Sequence, residues 1–263
     1  QVVVENRAGA AGKIAIDGLK AATPDGETLL VMPNSIITME RGLYRQPRFS
    51  LDDFAPISPV VENSQAFAVT ASLPPRTLNE FLGWARANAE KANFATPGQG
   101  TPFHFMGMEF ARASGVALQH VPYRGGGQAM PDLISGQVAS MFSSTPNLLP
   151  FHQRGQVRIL AVSTPQRLPS LPDVPTFSES GFPMLGDVEQ FGVFAPARTP
   201  ASVVSRLAQQ IAAAVQSPAM QSGLAKLSLE PVSATPAQYL SRLQADARDW
   251  EARIQKTGFK ADN

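Results

Sequence analysis

Short apolar segments alternate with helix-start signals along most of this chain, and this alternation constrains its fold more than any other feature. A strand buried on both faces is a short apolar run, whereas an amphipathic helix repeats its apolar residues every three or four positions. Strands and helices that alternate in this way build α/β domains with largely parallel sheets. We predict strands at residues 2–5, 28–32, 66–70, 93–96, 118–121, 138–142, 159–163 and 191–195.

Several helix starts are marked by residues that cap the free N–H groups of a first turn. Thr77 and Thr235 are each followed three residues later by Glu or Gln, which is the pattern of a capping box. Thr101, Thr199 and Ser217 each precede a proline, a residue favoured at the first helical position. In the last helix, the apolar residues at helical spacing, which we expect to be buried, are Tyr239, Leu243, Trp250 and Ile254.

Charge and composition exclude several classes of protein. The formal net charge is +1, so there is no electrostatic reason to expect a nucleic acid or a membrane surface as partner. The chain has no cysteine, which excludes disulfides, thiolate metal sites and cysteine nucleophiles. The three histidines, His104, His120 and His152, are scattered without metal-ligand spacing, so we predict neither a metal nor a cofactor. No apolar run approaches the roughly 20 residues of a membrane-spanning helix.

The glycine-rich turn between residues 94 and 104 is the most informative candidate site. A predicted strand ends at Thr96, Gly98 and Gly100 form the turn, and Thr101 precedes a helix. The N–H groups at a helix start have no intrahelical partner, and the helix dipole adds partial positive charge. Glycines let a ligand approach this backbone closely, so an anion could bind there without a charged side chain. A plain strand–helix connection fits the same pattern.

Other predicted strands end in turns of the same kind. Tyr123 could hydrogen-bond a ligand and Arg124 could pair with a carboxylate, although a surface arginine is the simpler interpretation of Arg124. Ser143 lies in the hydroxyl-rich run 141–147, which could equally cap the next helix. Ligands of open parallel sheets bind at the carboxyl ends of the strands, so we expect these turns to converge.

Two other functions have less support in the sequence. Ser143 or Ser144 with His104 could form the nucleophile and base of a small-molecule hydrolase, but there is no Gly-x-Ser-x-Gly elbow and no obvious orienting carboxylate. A ligand-sensing domain of a transcription regulator would need a helix-turn-helix segment and usually a basic patch, and neither is visible. We therefore predict a binding protein rather than an enzyme.

Motifs spread over the whole chain match those of one known family. They lie at 2–7 with Gly9 and Gly12, 24–30, 53–56, 120–126, 136–138, 141–142, 171–176 with Glu179 and Gly181, 191–196, and 199–200. On these motifs the chain resembles the receptor family of tripartite tricarboxylate transporters, the Bug-type periplasmic solute-binding proteins.

The resemblance implies an α/β, two-domain periplasmic-binding-protein fold of type II, the Venus-flytrap architecture. The first domain would comprise residues 1–66 plus 192–263 and the second 67–191, with the ligand cleft between them. Such a receptor works in the periplasm, is not an enzyme, and passes a small carboxylate to the membrane permease subunits of its transporter. We expect a monomer.

The resemblance also implies how the carboxylate is held: by backbone groups, hydroxyls and ordered water. One departure concerns Ser143, at a position that is often acidic in this family. Because the partner for a ligand amine is absent, a simple organic acid is expected in preference to an acidic amino acid. The matching positions are Thr96, Gly98, Gly100, Thr101 and His104, with Tyr123 and Ser143 nearby and Asn34, Ser35 and Gln65 facing them across the cleft.

A second departure concerns the start of the chain, which carries no signal peptide. The family begins one strand and one helix earlier, with a loop that supplies part of the ligand site. By this comparison the strand predicted at 2–5 is the family's second strand, and the fold lacks its first strand and helix. We expect the chain as given to be less stable, more prone to associate and a poorer binder than one with that segment restored.

Overall fold

The computed structural model describes residues 2–7 and 12–261, which divide into two compact units. Unit 1 consists of Gln1–Glu62, Gln190–Lys226 and Glu230–Asn263. Unit 2 consists of Asn63–Glu189 and Leu227–Leu229. Unit 2 is therefore almost entirely one continuous segment, inserted between two parts of unit 1.

The helices and strands alternate along the chain as the sequence predicts. The first half contains α1 (Lys13–Ala21), β1 (Leu30–Pro33), α2 (Asn34–Thr38), α3 (Glu40–Leu43), β2 (Phe54–Thr70), α4 (Leu78–Ala87), β3 (Asn93–Thr96), α5 (Pro102–Ser114), β4 (Gln119–Pro122) and α6 (Gly126–Ser135). The second half contains β5 (Ser140–Ser144), α7 (Thr145–Gln153), β6 (Val157–Val162), β7 (Val188–Pro196), α8 (Ala201–Val215), α9 (Pro218–Lys226), β8 (Glu230–Pro231) and α10 (Pro236–Thr257).

The sheet of unit 1 places β7 between β1 and β2. β1 pairs antiparallel with β7, and the short β8 pairs antiparallel with Val61 and Glu62 of β2. The long helix α10 packs its apolar stripe onto this unit, and the stripe is buried as predicted. The central apolar cluster joins residues from both ends of the chain: Ile16, Leu19, Met32, Ile37, Phe49, Phe54, Phe194, Tyr239 and Leu243.

The sheet of unit 2 has the order β6-β2-β5-β3-β4. β3 pairs parallel with β4 and β5, whereas β2 pairs antiparallel with β5 and β6. The carboxyl ends of β3, β4, β5 and β6 therefore lie at one edge of the sheet. At the same edge, the pairing of β2 with β5 begins at Gln65, opposite Ser144. Gly107 in α5 allows close packing on β3, since a Cβ there would lie 2.0 Å from the Phe94 ring.

Most predicted strands are present with shifted ends, but the strand predicted at 2–5 is wrong. Val2, Val3 and Val4 are largely exposed and form no strand, because none of the other described residues pairs with them. Gly9 of the family motif lies outside the described residues. The predicted parallel pairing is present in unit 2, except that β2 runs antiparallel to β5 and β6. In unit 1 the β1–β7 and β2–β8 pairs are antiparallel, so the prediction is wrong there.

The predicted helix caps divide into two groups. Thr235 and Gln238 form the full reciprocal box, and Thr77 accepts a bond from the Glu80 N–H. Ser217 also caps, since its hydroxyl accepts from the Met220 N–H. The caps predicted at Thr101 and Thr199 are wrong. Their hydroxyls donate instead to carbonyls three residues earlier in the chain. No helix in the described part of the chain is long and apolar enough to cross a membrane.

Candidate ligand site

The turns that follow β3, β4 and β5 lie side by side at one edge of the unit 2 sheet. The N–H of Gly125 donates to the carbonyl of Pro97 at 2.8 Å, which joins the first turn to the second. A Cβ on Gly126 would lie 2.4 Å from Nδ2 of Asn147 and 3.3 Å from Oγ of Ser143, so the second turn touches the third. The convergence predicted from the strand ends is therefore present within this unit.

Hydrogen bonds to one carbonyl shape the turn between β3 and α5. The hydroxyls of Thr96 and Thr101 both donate to the carbonyl oxygen of Gly98, at 3.1 and 2.7 Å. Gly100 has a φ of 74°, in the left-handed region that favours glycine. Both threonine hydroxyls thus hold the turn itself, and Thr101 occupies the N-cap position without capping α5.

This arrangement leaves backbone donors without partners at the start of α5. Among the described residues, nothing accepts a hydrogen bond from the N–H groups of Gly98, Gln99, Thr101 or Phe103. α5 is 13 residues long, so its dipole places partial positive charge at the same point. Free N–H groups and a helix N-terminus together favour an anion.

Two of the three histidines lie together in the folded unit, whereas His152 lies elsewhere and accepts from the Ile159 N–H. The rings of His104 and His120 stack with centroids 4.1 Å apart and an interplanar angle of 22°. Nε2 of His120 lies 2.7 Å from Oγ1 of Thr96, and Nδ1 of His104 lies 3.3 Å from the N of Gly100. Burial lowers the pKa of both rings, and burial together with the neighbouring His104 lowers that of His120 to about 4.

Sequence reasoning missed His120, although a signal was available. The parallel register of β3 and β4 places His120 opposite Phe94. Thr96 lies two residues after Phe94, on the same face of β3, because side chains alternate along a strand. Pairing the two predicted strands in parallel would therefore have brought His120 to the turn between β3 and α5. We call this turn, from Thr96 to Phe103, the ligand turn, after its proposed role.

Tyr123 and Arg124 follow β4, and only Tyr123 makes a side-chain hydrogen bond there among the described residues. The Tyr123 hydroxyl donates to the Asp132 carboxylate at 2.6 Å. Burial, followed by this bond and the charge of Asp132, raises the pKa of Tyr123 to about 12. Arg124 is exposed and makes no ion pair with another described residue, as expected for a surface arginine.

Ser143 offers a hydrogen-bond donor at the end of β5. Its side chain is buried, and its oxygen accepts from Nδ2 of Asn147 at 3.0 Å. The hydroxyl proton itself has no acceptor among the residues that the structure describes. Asn147 was part of the predicted hydroxyl-rich run but was not identified as a site residue.

Gln65 lies opposite Ser144 on the antiparallel strand β2 and belongs to unit 2, not to the first domain in which the predicted bounds had placed it. Its backbone is fixed by Ser163, whose hydroxyl accepts from the Gln65 N–H at 2.9 Å and whose N–H donates to the Gln65 carbonyl at 2.8 Å. The side chain is buried, and its Oε1 has no hydrogen-bond partner within the described ranges. This acceptor is therefore available to a ligand donor or to water.

Asn34 and Ser35 are the buried first residues of α2 in unit 1. The Tyr239 hydroxyl donates to Oδ1 of Asn34, and Nδ2 of Asn34 has no partner in the described part of the chain. A Cβ on Gly192 would lie 1.5 Å from the Tyr239 oxygen, so only glycine leaves room for this bond. The bond to Tyr239 fixes the amide with its nitrogen as the available donor.

The described residues show neither the serine–histidine pair that a hydrolase would use nor a cluster of metal ligands. Neither Ser143 nor Ser144 makes a hydrogen bond to His104, and Nδ1 of His104 faces the Gly100 N–H instead. No group of three or more His, Cys, Asp or Glu among these residues could hold a metal ion. The geometry therefore gives the hydrolase interpretation no support.

Comparison with known proteins identifies the family. The family model described as "Tripartite tricarboxylate transporter family receptor" matches residues 1–259. The chain belongs to the tripartite tricarboxylate transporter receptor family. The resemblance inferred from the motifs is thus confirmed, and it covers both units.

Relatives in this receptor family share the fold as well as the sequence. BugT of Bordetella pertussis strain Tohama I is 31% identical over 262 residues, which are 98% of this chain and 80% of BugT. The structure of the periplasmic binding protein BugD is 31% identical with a TM-score of 0.87, over 99% of this chain and 88% of BugD. The structure of R. palustris Rpa4515 with adipate is 28% identical with a TM-score of 0.87, over 98% and 87% of the two chains. The predicted periplasmic-binding-protein fold class is confirmed.

Proposed function

We propose that this chain is a periplasmic receptor that binds a small carboxylate and delivers it to the permease subunits of a tripartite tricarboxylate transporter. Membership of the receptor family supports the general role. The adipate in the structure of Rpa4515 supports a dicarboxylate as the ligand class. Receptors of this family are solute-binding proteins, so the proposal includes binding without turnover.

The free donors at the start of α5 carry this proposal. A carboxylate presents two oxygens with about four acceptor sites, and it pairs well with several N–H groups of one turn. The N–H groups of Gly98, Gln99, Thr101 and Phe103 are unpartnered within the described residues, and the Ser143 hydroxyl proton is a further donor. These donors are uncharged, so affinity comes from their number and from the helix dipole.

The same groups favour an organic acid over an amino acid. A ligand ammonium group would need an acceptor, preferably a carboxylate. The Asp132 carboxylate, which bonds to the second of these turns, already accepts from Tyr123. Oε1 of Gln65 is a neutral acceptor without a partner among the described residues and would suit a ligand hydroxyl. Hydroxylated and plain dicarboxylates are therefore the expected ligand classes.

The binding test uses adipate, malate, succinate, glutamate and sulfate in thermal-shift and calorimetric titrations. A dicarboxylate present at 100 times its Kd should stabilise the protein by about 2.7 kcal/mol. Glutamate should bind more weakly than succinate, and NMR of the acid after prolonged incubation should show no product. Stabilisation by none of the acids, or steady conversion of one of them, would contradict the receptor assignment.

Variants at the third turn test which groups bind the acid. Ser143→Ala removes the available hydroxyl donor and should weaken adipate binding by about tenfold or more, the effect expected for one hydrogen bond to a charged group. Ser144→Ala is the matched control, since the Ser144 side chain caps no helix end. Its Kd should change by less than about threefold.

A variant of the exposed arginine separates backbone recognition from ion pairing. Arg124→Ala should leave adipate binding within about threefold of wild type, because Arg124 is exposed and the proposed donors are backbone N–H groups. A directly paired, buried arginine would instead cost several kcal/mol on removal. Loss of all measurable binding by isothermal calorimetry would show that the carboxylate pairs with Arg124.

A further inference from the structure

His104 and His120 each make a hydrogen bond to the ligand turn. We call these two residues the imidazole pair. His120 meets the turn at Oγ1 of Thr96, at the end of β3, and His104 meets it at the N–H of Gly100. Phe94 stacks on the other side of His120, with ring centroids 4.9 Å apart and an interplanar angle of 28°. Phe94, His120 and His104 therefore form one stack of three rings.

The hydrogen bonds of the turn fix which nitrogen carries the proton in each ring. The Thr96 hydroxyl has one proton, and it donates this proton to the Gly98 carbonyl, which can only accept. Nε2 of His120 must then donate to Thr96. The Gly100 N–H can only donate, so Nδ1 of His104 must accept with its lone pair. Each neutral ring therefore carries its proton on Nε2.

We propose that His104 and His120 are positioning residues that hold the two ends of the ligand turn through a donor at Nε2 of His120 and an acceptor at Nδ1 of His104. In this assignment neither ring needs to contact the carboxylate. The pair sets the direction of the free N–H groups between Thr96 and Phe103. The inference rests on the proposed function for its effect on binding, but its proton assignment stands on the geometry of the turn alone.

Burial of the imidazole pair preserves the donor at His120 and the acceptor at His104. Burial lowers the pKa of both rings, so both are neutral near neutral pH. A second proton on His104 would turn Nδ1 into a donor that faces the Gly100 donor, and the bond would be lost. The Thr96 side chain is fully buried, so water does not readily replace His120 as its partner.

Amide side chains of two lengths test the assignment at each position. The Asn amide ends where Nδ1 of histidine lies, whereas the Gln amide reaches the place of Nε2. His104→Asn therefore keeps the acceptor and His120→Gln keeps the donor, while His104→Gln and His120→Asn lose them. The first two variants should bind adipate within about threefold of wild type. The other two should bind about tenfold or more weakly, the effect of about one neutral hydrogen bond.

The crossed pattern separates positioning from other roles. Equal losses for Asn and Gln at both positions would show that the rings act only through packing. If His104→Gln binds well and His104→Asn does not, Nε2 of His104 contacts the ligand directly. Either result overturns the proposal. The melting temperature of each variant, measured without ligand, shows whether a loss of affinity accompanies a loss of folding.

A measurement without ligand covers the case in which adipate does not bind. Nitrogen-15 NMR of histidine-labelled wild-type protein at pH 7.5 reads the tautomer of each ring directly. Both His104 and His120 should be neutral with the proton on Nε2. An Nδ1–H tautomer or a charged ring at either position would refute the inference. Absence of binding to any tested dicarboxylate, with the tautomers as expected, would instead refute the proposed function.

Discussion

At the residue scale, the buried histidines give the stability of the protein a defined pH dependence. The pKa of His120 falls from 6.5 in the unfolded chain to about 4 in the folded unit, chiefly through burial. The unfolded state therefore takes up the proton first as the pH falls. Folding stability contributed by the neutral ring should be present above about pH 6.5 and be lost progressively as the pH falls toward 4.

This pH dependence can be measured against a variant that does not titrate. Between pH 7 and pH 4, wild type should lose more of its unfolding free energy than His120→Gln, which keeps the donor to Thr96. Urea unfolding at half-unit pH steps gives both curves. Parallel curves for the two proteins would show that His120 titrates alike in the folded and unfolded states.

The turn between β3 and α5 can be predicted from the sequence, but the hydrogen bonds within it cannot. Gly98 and Gly100 between a strand end and a helix start predicted a tight turn with exposed N–H groups. The destination of the Thr101 hydroxyl could not be predicted in the same way. It depends on the left-handed Gly100, which turns the chain so that the Gly98 carbonyl lies 2.7 Å away. The role of His120 depended on strand register, which the sequence does not state.

At the element scale, the Thr-Pro helix starts at 101 and 235 differ for a reason visible in the third residue of each helix. The Gln238 N–H donates to the Thr235 hydroxyl and the Gln238 side chain accepts from the Thr235 N–H, so that box is reciprocal. The equivalent residue after Thr101 is His104, whose Nδ1 accepts a hydrogen bond from the Gly100 N–H instead. The first pattern therefore caps a helix, and the second leaves the N–H groups of Thr101 and Phe103 without an acceptor among the described residues.

The reciprocal box at α10 should be important for stability alone. Thr235→Ala should lower the free energy of unfolding by roughly 0.5–2 kcal/mol, because it removes the acceptor for the Gln238 N–H. Ser205→Ala, at an exposed position within α8, is the control and should be neutral or slightly stabilising. Urea denaturation measures both, and adipate affinity should not change in either. Equal stability of Thr235→Ala and wild type would show that water replaces the cap.

Strand β2 shows why some elements cannot be delimited from sequence. It is 17 residues long, but the apolar pattern predicted only residues 66–70. Pro56 and Pro59 interrupt its first half, and proline normally argues against a strand interior. Polar residues at 62–65 then break the apolar run. The strand persists because each half pairs in the sheet of its own unit.

At the scale of the whole molecule, the two units have separate apolar cores. The two clusters around Phe67 and Met141 contain only residues of unit 2, and those around Tyr239 and Ile57 contain only residues of unit 1. A local defect in one core therefore removes no packing contact from the clusters of the other. The units should accordingly differ in how they respond to a core substitution.

Gly107→Ala provides such a defect in unit 2. Its Cβ would lie 2.0 Å from the Phe94 ring, so the ring or the helix must move, at a typical cost of about 1–3 kcal/mol. Native-state hydrogen exchange should show a loss of protection in β3 and β5, and a smaller loss in β7 and α10. Gly83→Ala is the control, because no atom lies within 4 Å of its Cβ. Equal losses in both units would mean that they open as one cooperative body.

The insertion of unit 2 between two parts of unit 1 has a consequence for synthesis. Ribosomes release the chain from its N-terminal side, and compact units can fold as soon as they are complete. Unit 2 has all but three of its residues once Glu189 has emerged. The core of unit 1 must wait for Phe194, Tyr239 and Leu243. The inserted unit can therefore finish before the one that encloses it in sequence, and a nascent chain stopped within α8 would carry the ligand turn on a folded unit beside an unfinished one.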